Sequence, residues 1–133
     1  MARQTFVGSC HCGAVRYRVQ ADLSKGVRCN CSLCTKQRNW AVMVMPAEFD
    51  LLQGEEMLGV YTRTEGSVHQ HTFCRHCGVR TFTRSFTPEL GDFRMVSIPT
   101  LDATDEELAH ATVTYMNGRN NDWSHPPAIT GHL

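Results

Sequence analysis

Charge of either sign is not in surplus in this chain of 133 residues: 13 Lys and Arg stand against 13 Asp and Glu. The balance leaves no basic footprint for a phosphate backbone and no acidic tail, so nucleic acid is not an expected partner. Long apolar runs are missing too. The longest, "WAVMVMPA" from Trp40, falls far short of the roughly 20 residues a membrane-crossing helix needs, so no membrane is expected. The N-terminal "MARQTFVG" has neither an apolar signal core nor a small-residue cleavage site, and a cytoplasmic location is the expectation. Linkers, low-complexity runs and internal repeats are likewise missing, so residues 1–133 read as a single domain. That length suffices for a hydrophobic core, and cysteines are not needed merely to rescue a small fold.

Cysteine is what the chain does have, seven in all. An odd number cannot pair fully, and in a reducing compartment clustered cysteines more often bind metal or do chemistry than form disulfides. They fall into three groups. Cys10 and Cys12 form C-x-C, "CNCSLC" supplies Cys29, Cys31 and Cys34, and "CRHC" supplies Cys74 and Cys77. Two thiolates from one turn can reach the same ion, and zinc holds four ligands tetrahedrally. Counting suggests a four-thiolate structural site from Cys10, Cys12, Cys74 and Cys77, and a three-thiolate site from Cys29, Cys31 and Cys34. Three protein ligands with an open fourth position is the arrangement of a catalytic zinc. Other partitions stay open on spacing alone: a closed Cys3His site completed by His69, His71 or His76, a triplet sharing ligands with Cys74 and Cys77, or a disulfide framework. Arg28, Lys36, Arg38, Arg75 and Arg80 lie close in sequence to these cysteines, where cations offset thiolate charge.

The rest of the chain is strand-rich. "TFVGSC" and "GAVRYRVQ" predict a hairpin, with Val15, Tyr17 and Val19 alternating against Arg16, Arg18 and Gln20. "WAVMVMP", "FDLLQG", "LGVYTR", "VHQHTFC", "VRTFTRSF", "DFRMVSIPTL" and "TVTYMN" predict further strands. One short helix is expected over "DATDEELAHA", with Thr104 as its N-cap. Trp40, Met43, Met45 and Phe49 are expected in the core. Asn30, Ser32 and Thr35 are candidates to donate hydrogen bonds to the triplet thiolates.

"SCHCGAVRY", "CNCSLC" and "FCRHCGVRTF", in this order and spacing, resemble the glutathione-dependent formaldehyde-activating enzyme family, with its centromere-protein-V-like zinc domain. The resemblance runs from about Gly8 to the tail, where "TLD" and "DWSHPP" also resemble family features. It implies a mainly β fold, a β-tent of antiparallel sheets and hairpins pinned by a structural zinc, shared with zinc-containing Rab-exchange chaperones. It implies two Zn²⁺ per chain, one held by Cys10, Cys12, Cys74 and Cys77 and a second by Cys29, Cys31 and Cys34. The implied activity is a zinc-dependent carbon–sulfur lyase reaction that condenses a small thiol such as glutathione with an aldehyde such as formaldehyde. Lys36 and Arg38 are candidates to bind a carboxylate of the thiol, Trp123 to cover the site, and His71 or His76 to move a proton. Two other readings compete: a non-catalytic zinc-binding interaction module of the β-tent class, and a redox switch using "CSLC".

Overall fold

The computed structural model describes residues 3–133. In chain order it contains β1 (Gln4–Ser9), β2 (Arg16–Ala21), β3 (Gly26–Cys29), α1 (Ser32–Gln37), β4 (Ala41–Val44), β5 (Phe49–Gln53), β6 (Leu58–Tyr61), β7 (Gln70–Cys74), β8 (Arg80–Thr87), β9 (Gly91–Ser97), α2 (Asp105–Ala109) and β10 (Val113–Met116), with short 3-10 turns between several of them. The strands make two sheets. The smaller runs β1-β2-β5 and the larger β10-β3-β4-β9-β8-β7-β6. Pairing is antiparallel except at one edge, where β10 lies parallel to β3.

Period-two patterning drives the β1–β2 hairpin. Tyr17, Val19 and Ala21 of β2 are buried while Arg16, Arg18 and Gln20 face out. The buried face packs on the larger sheet through an aromatic trio. Tyr17 stacks on Phe49 at 5.5 Å, meets Phe82 edge-on at 5.7 Å, and Phe49 and Phe82 lie 4.6 Å apart. Because these rings come from β2, β5 and β8, they join the two sheets, and such pairs contribute beyond the area they bury. Val42, Val44, Val96 and Ile98 fill the space around them. Leu101 extends the same core, and a bridge between Gly8 and Leu101 ties β1 to the segment after β9.

The mainly β expectation holds, as does the helix capped by Thr104. That cap is reciprocal: the Thr104 hydroxyl accepts from Glu107 N while the Glu107 carboxylate accepts from Thr104 N. Three expectations are corrected. The helix near the C-terminus is one of two, because α1 follows directly on Cys31; six residues are too few to show a helical period in sequence. The sheets are mixed rather than wholly antiparallel, because β10 returns alongside β3 in the same direction. Met43 and Met45 are exposed at the sheet surface rather than in the core, since alternation along β4 sends Val42 and Val44 inward instead.

Phe82 is 1 % exposed at the centre of the aromatic trio. Phe82→Ala is expected to lower stability by about 3–5 kcal/mol, read from the shift of the denaturant midpoint.

Candidate metal centre and the adjoining cavity

Two turns bring four thiols together. The first lies between β1 and β2, where Gly13 at φ 80 closes the turn that carries Cys10 and Cys12. The second lies between β7 and β8, where Gly78 at φ 77 closes the turn after Cys74 and Cys77. Both positions need the left-handed backbone that glycine adopts without strain. The Sγ atoms of Cys10, Cys12, Cys74 and Cys77 all lie within 4.8 Å of one another. Cys10 and Cys12 are 3.6 Å apart, and Cys12 and Cys74 3.7 Å. A tetrahedral ion with Zn–S near ~2.3 Å requires sulfurs about 3.8 Å apart, so the donor set fits zinc. Backbone N–H groups complete the surroundings: Val15 N donates to Cys10 Sγ at 3.3 Å, and His76 N and Cys77 N donate to Cys74 Sγ at 3.4 and 3.5 Å.

Backbone N–H groups, burial and the neighbouring sulfurs act together on two of these thiols. At Cys77 the thiol is lowered to about 6, chiefly by backbone N–H groups and then by the neighbouring thiols. At Cys12 a backbone N–H favours the thiolate, but burial and the three neighbouring sulfurs outweigh it and raise the thiol to about 11. Sulfurs this close cannot all carry charge unless a cation sits among them.

A second group holds the Sγ atoms of Cys29, Cys31 and Cys34, again within 4.8 Å of one another and half-buried. Among the described residues no histidine or carboxylate joins either group, and the triplet shares no member with Cys74 and Cys77. All seven cysteines carry free thiols, so the disulfide framework is not what the fold builds. Cys29 ends β3, Cys31 is the N-cap of α1, and Cys34 lies in its first turn. The free N–H groups of a helix start lie beside the sulfurs: Cys34 N donates to Cys31 Sγ and Cys31 N to Cys29 Sγ, each at 3.4 Å. Hydrogen bonds from Cys29 and Cys34, then from the backbone N–H groups of Cys34 and Leu33, bring Cys31 down to about 2, while the thiols of Cys29 and Cys31 and burial push Cys34 well up.

The side chains expected to donate to these sulfurs do something else. Asn30 is buried, donates to Asn117 Oδ1 at 2.9 Å and accepts from Arg119 N at 2.9 Å. Thr35 donates to Asn30 O at 3.0 Å, and Ser32 accepts from Arg63 Nη2 at 3.1 Å. These bonds anchor the loop to the end of β10, and the backbone supplies the donors to sulfur. Asn117, Gly118, Arg119 and Arg63 are site neighbours that the sequence did not mark, since each lies far from the cysteines in the chain. Gly118 is there for space: a Cβ on it would stand 2.6 Å from Cys29 Sγ and 2.8 Å from the Trp123 ring. Trp123 therefore flanks Cys29 across Gly118, although the side chain is 58 % exposed.

A group of polar side chains from β7 and β8 lies within electrostatic reach of the triplet. Arg80 Nη2 donates to Thr83 Oγ1 at 2.9 Å, and Thr83 Oγ1 pairs with His71 Nδ1 at 3.2 Å. Arg80 also donates to the carbonyls of Thr72 and Phe82. Burial first, and then the Arg80 charge, lower His71 to about 4; the Cys31 thiolate acts on it in the opposite sense. Cys34 in turn acts on Arg80, so both residues lie within electrostatic reach of the triplet. His76 is exposed on its turn.

A cavity of about 370 Å³ is lined by residues that adjoin the cysteines in the chain, though by none of the cysteines themselves. Its lining includes Ser9 and His11, on either side of Cys10, Val79 and Arg80, after Cys77, and Arg38 and Trp40, after α1. Arg38 thus reaches a concave surface, with a left-handed backbone at the end of α1, whereas Lys36 is exposed and does not line it. Trp40 is partly buried against the core, with Arg28 over its ring at 4.9 Å.

The family model for the glutathione-dependent formaldehyde-activating enzyme matches residues 5–118. Among solved structures, a Rhodobacter sphaeroides protein superposes with a TM-score of 0.68 at 25% sequence identity, covering 84% of this chain and 100% of that one.

Two outcomes check this geometry. Gly118→Ala is expected to weaken metal binding at the triplet by at least about tenfold, because its methyl group displaces Cys29 or Trp123, while the fold is retained; competition with a chromogenic chelator reads it. Burial holds His71 neutral, so between pH 6.5 and 4 the unfolded chain binds the proton more readily than the folded one. Stability therefore rises with pH across that window, and His71→Gln should flatten the slope relative to the parent chain in denaturant titrations at stepped pH.

Proposed function

The chain belongs to the glutathione-dependent formaldehyde-activating enzyme family, and from that premise we propose that it joins a small thiol such as glutathione to an aldehyde such as formaldehyde. The product is an S-hydroxyalkyl thioether of the S-(hydroxymethyl)glutathione type, and the reverse reaction is a carbon–sulfur lyase step. The observation that carries this reading is the triplet: three sulfurs from one short stretch, with no fourth protein ligand among the described residues. On this reading Cys10, Cys12, Cys74 and Cys77 hold a structural Zn²⁺, and Cys29, Cys31 and Cys34 hold a second whose fourth position takes substrate. Bound there, zinc supplies acidification of a thiol or polarisation of a carbonyl oxygen.

The chain's own residues do the rest. Cys29, Cys31 and Cys34 bring three negative charges to the second ion, a set that suits a thiolate better than it suits strong activation of a carbonyl. The sulfur of the substrate attacks the aldehyde carbon, the C–S bond forms as the C=O π pair moves to oxygen, and the thiol proton passes to solvent. The resulting alkoxide takes its proton from water. His71 serves this step as an uncharged hydrogen-bonding group. With Arg80 donating to the Thr83 oxygen, the Thr83 hydroxyl proton is available to His71 Nδ1, which leaves the ring proton on Nε2. Much of the gain comes from holding two small reactants together. A cytoplasmic location suits the reading, since thiols stay reduced there; among the described residues no helix is long and apolar enough to cross a membrane.

The test is exchange-sensitive NMR on glutathione and formaldehyde with zinc-loaded protein. The parent chain should speed approach to equilibrium, and Cys31→Ser should lose at least about 100-fold of that acceleration. Elemental analysis should show zinc falling from two to one per chain in Cys31→Ser, with the circular dichroism spectrum unchanged. Loss of the fold with Cys31→Ser, and no acceleration by the parent, would favour the interaction-module reading instead. Cys74→Ser, by contrast, should unfold the chain, because it breaks the group that joins the two sheets.

A further inference from the structure

Apolar side chains scattered singly over a surface are ordinary, and most of those on this molecule call for no explanation. Trp123 is different, because it is both exposed and held. The turn after β10 is closed by Asp122 N donating to Asn117 O and Asn121 N donating to Gly118 O, each at 3.1 Å, and Asn121 takes the left-handed backbone at φ 54. From that turn Asn121 Oδ1 accepts the indole N–H of Trp123 at 2.9 Å. The one polar atom of the side chain is thereby satisfied. What the ring still offers to solvent is apolar surface, and the residue is 58 % exposed.

Its position is equally specific. A single point, where a Cβ on Gly118 would stand, lies 2.8 Å from the indole ring and 2.6 Å from Cys29 Sγ. The ring therefore borders one of the three sulfurs of the triplet, with a bare glycine between them. A second exposed ring, Tyr61, ends β6 tilted against His71 with centroids 6.4 Å apart, and the segment after it reaches α1 through the bond from Arg63 to Ser32. Arg119, next to Gly118, donates to Thr35 Oγ1 at 3.4 Å and keeps positive charge on this side.

We propose that Trp123 is a stacking platform beside the triplet, and that the aldehyde taken there carries a flat aromatic group rather than a single carbon. The inference rests on the proposed reaction for the aldehyde, and on Trp123 and Gly118 alone for the aromatic group. A ring already held in place gives up little freedom when a ligand covers it, so little of the gain from burying its surface is lost to ordering. Aryl groups pack on an indole offset-stacked or edge-on, at centroid distances of about 4.5–7 Å, and the formyl carbon of an aryl aldehyde is one bond from its ring. The short gap from the indole to Cys29 matches that compact shape. Formaldehyde, in contrast, has no group to lay against the indole. A cation is also attracted to an indole face, but the Arg119 charge beside the platform disfavours one here.

The experiment titrates the zinc-loaded protein with benzyl alcohol, which carries the aryl group and an oxygen but cannot react, against cyclohexylmethanol of similar size and against ethanol. Binding is read by NMR from the Gly118 amide, and in the parent chain also from the indole N–H that is missing in Trp123→Phe. Benzyl alcohol should shift both resonances saturably, with cyclohexylmethanol at least about threefold weaker and ethanol at least about tenfold weaker. Trp123→Leu should weaken benzyl alcohol by about tenfold, and Trp123→Phe should keep the preference for the aryl group. Equal binding of benzyl alcohol and cyclohexylmethanol by the parent chain would overturn the proposal. So would a Trp123→Leu protein that binds benzyl alcohol as the parent does. With glutathione present, Trp123→Leu should lower the ratio of kcat/KM for benzaldehyde to that for acetaldehyde by about tenfold. Selective binding without any acceleration of glutathione addition would sink the proposed reaction and leave the platform standing. Acceleration with a ratio that Trp123→Leu does not move would sink the platform and leave the reaction.

Discussion

Four sulfurs that cannot all be charged at once hold the plan of this molecule together. Cys10 and Cys12 belong to the turn of the smaller sheet, Cys74 and Cys77 to a turn of the larger, and their Sγ atoms converge within 4.8 Å. Without a cation the group is electrostatically frustrated, and the thiol shifts at Cys77 and Cys12 in opposite directions express that frustration. With one, the same repulsion becomes attraction, and the ion ties together segments more than sixty residues apart. The aromatic trio of Tyr17, Phe49 and Phe82 does the same job by burial a short distance into the core. Joining the sheets at their turns and again through their faces fixes their mutual angle, and the cavity exists because of it.

The triplet is built differently. Its three sulfurs come from one strand end and one helical turn, so no distant segment is required to bring them together. Distant segments instead hold the loop in place. Asn30 is pinned to Asn117 and Arg119, Ser32 to Arg63, and Gly118 clears the space that Cys29 occupies. This division has a physical logic. A group whose purpose is to crosslink draws its ligands from far apart in the chain. A group that must leave room for another molecule draws them from one short stretch, with its supports behind it. The polar group of His71, Thr83 and Arg80, on the larger sheet, lies within electrostatic reach of the triplet, with each hydrogen-bonding group oriented by its neighbour.

Arg38 and Arg80 illustrate how one residue type serves two ends. Arg80 is spent on structure, its guanidinium bonded to β7 and β8. Arg38 stands at the end of α1 with a left-handed backbone that only a cap position tolerates, and its side chain is left exposed at the rim of the cavity.

Much of this was legible in the chain. Period-two alternation in "VRYRVQ" and in the strands around "CRHC" marked the hairpins, Thr104 marked its helix, and the cysteine spacing sorted seven thiols into four and three. Those signals are local: a strand's face, a helix cap and a metal-binding turn are each written within a few residues. What lay outside the sequence was every contact made between segments. The sheets' order, the parallel return of β10 beside β3, the loss of Met43 to the surface, and the gathering of Asn117, Gly118 and Arg63 around the triplet carry no signature in neighbouring residues. Helix α1 escaped for a related reason, being shorter than two full turns. Sequence alone determined which residues can bind metal and which strands have a buried face, because spacing and alternation are properties of the covalent chain. Tertiary structure alone decided what surrounds the metal-binding residues and where the cavity opens, because those depend on which distant surfaces pack together to exclude water.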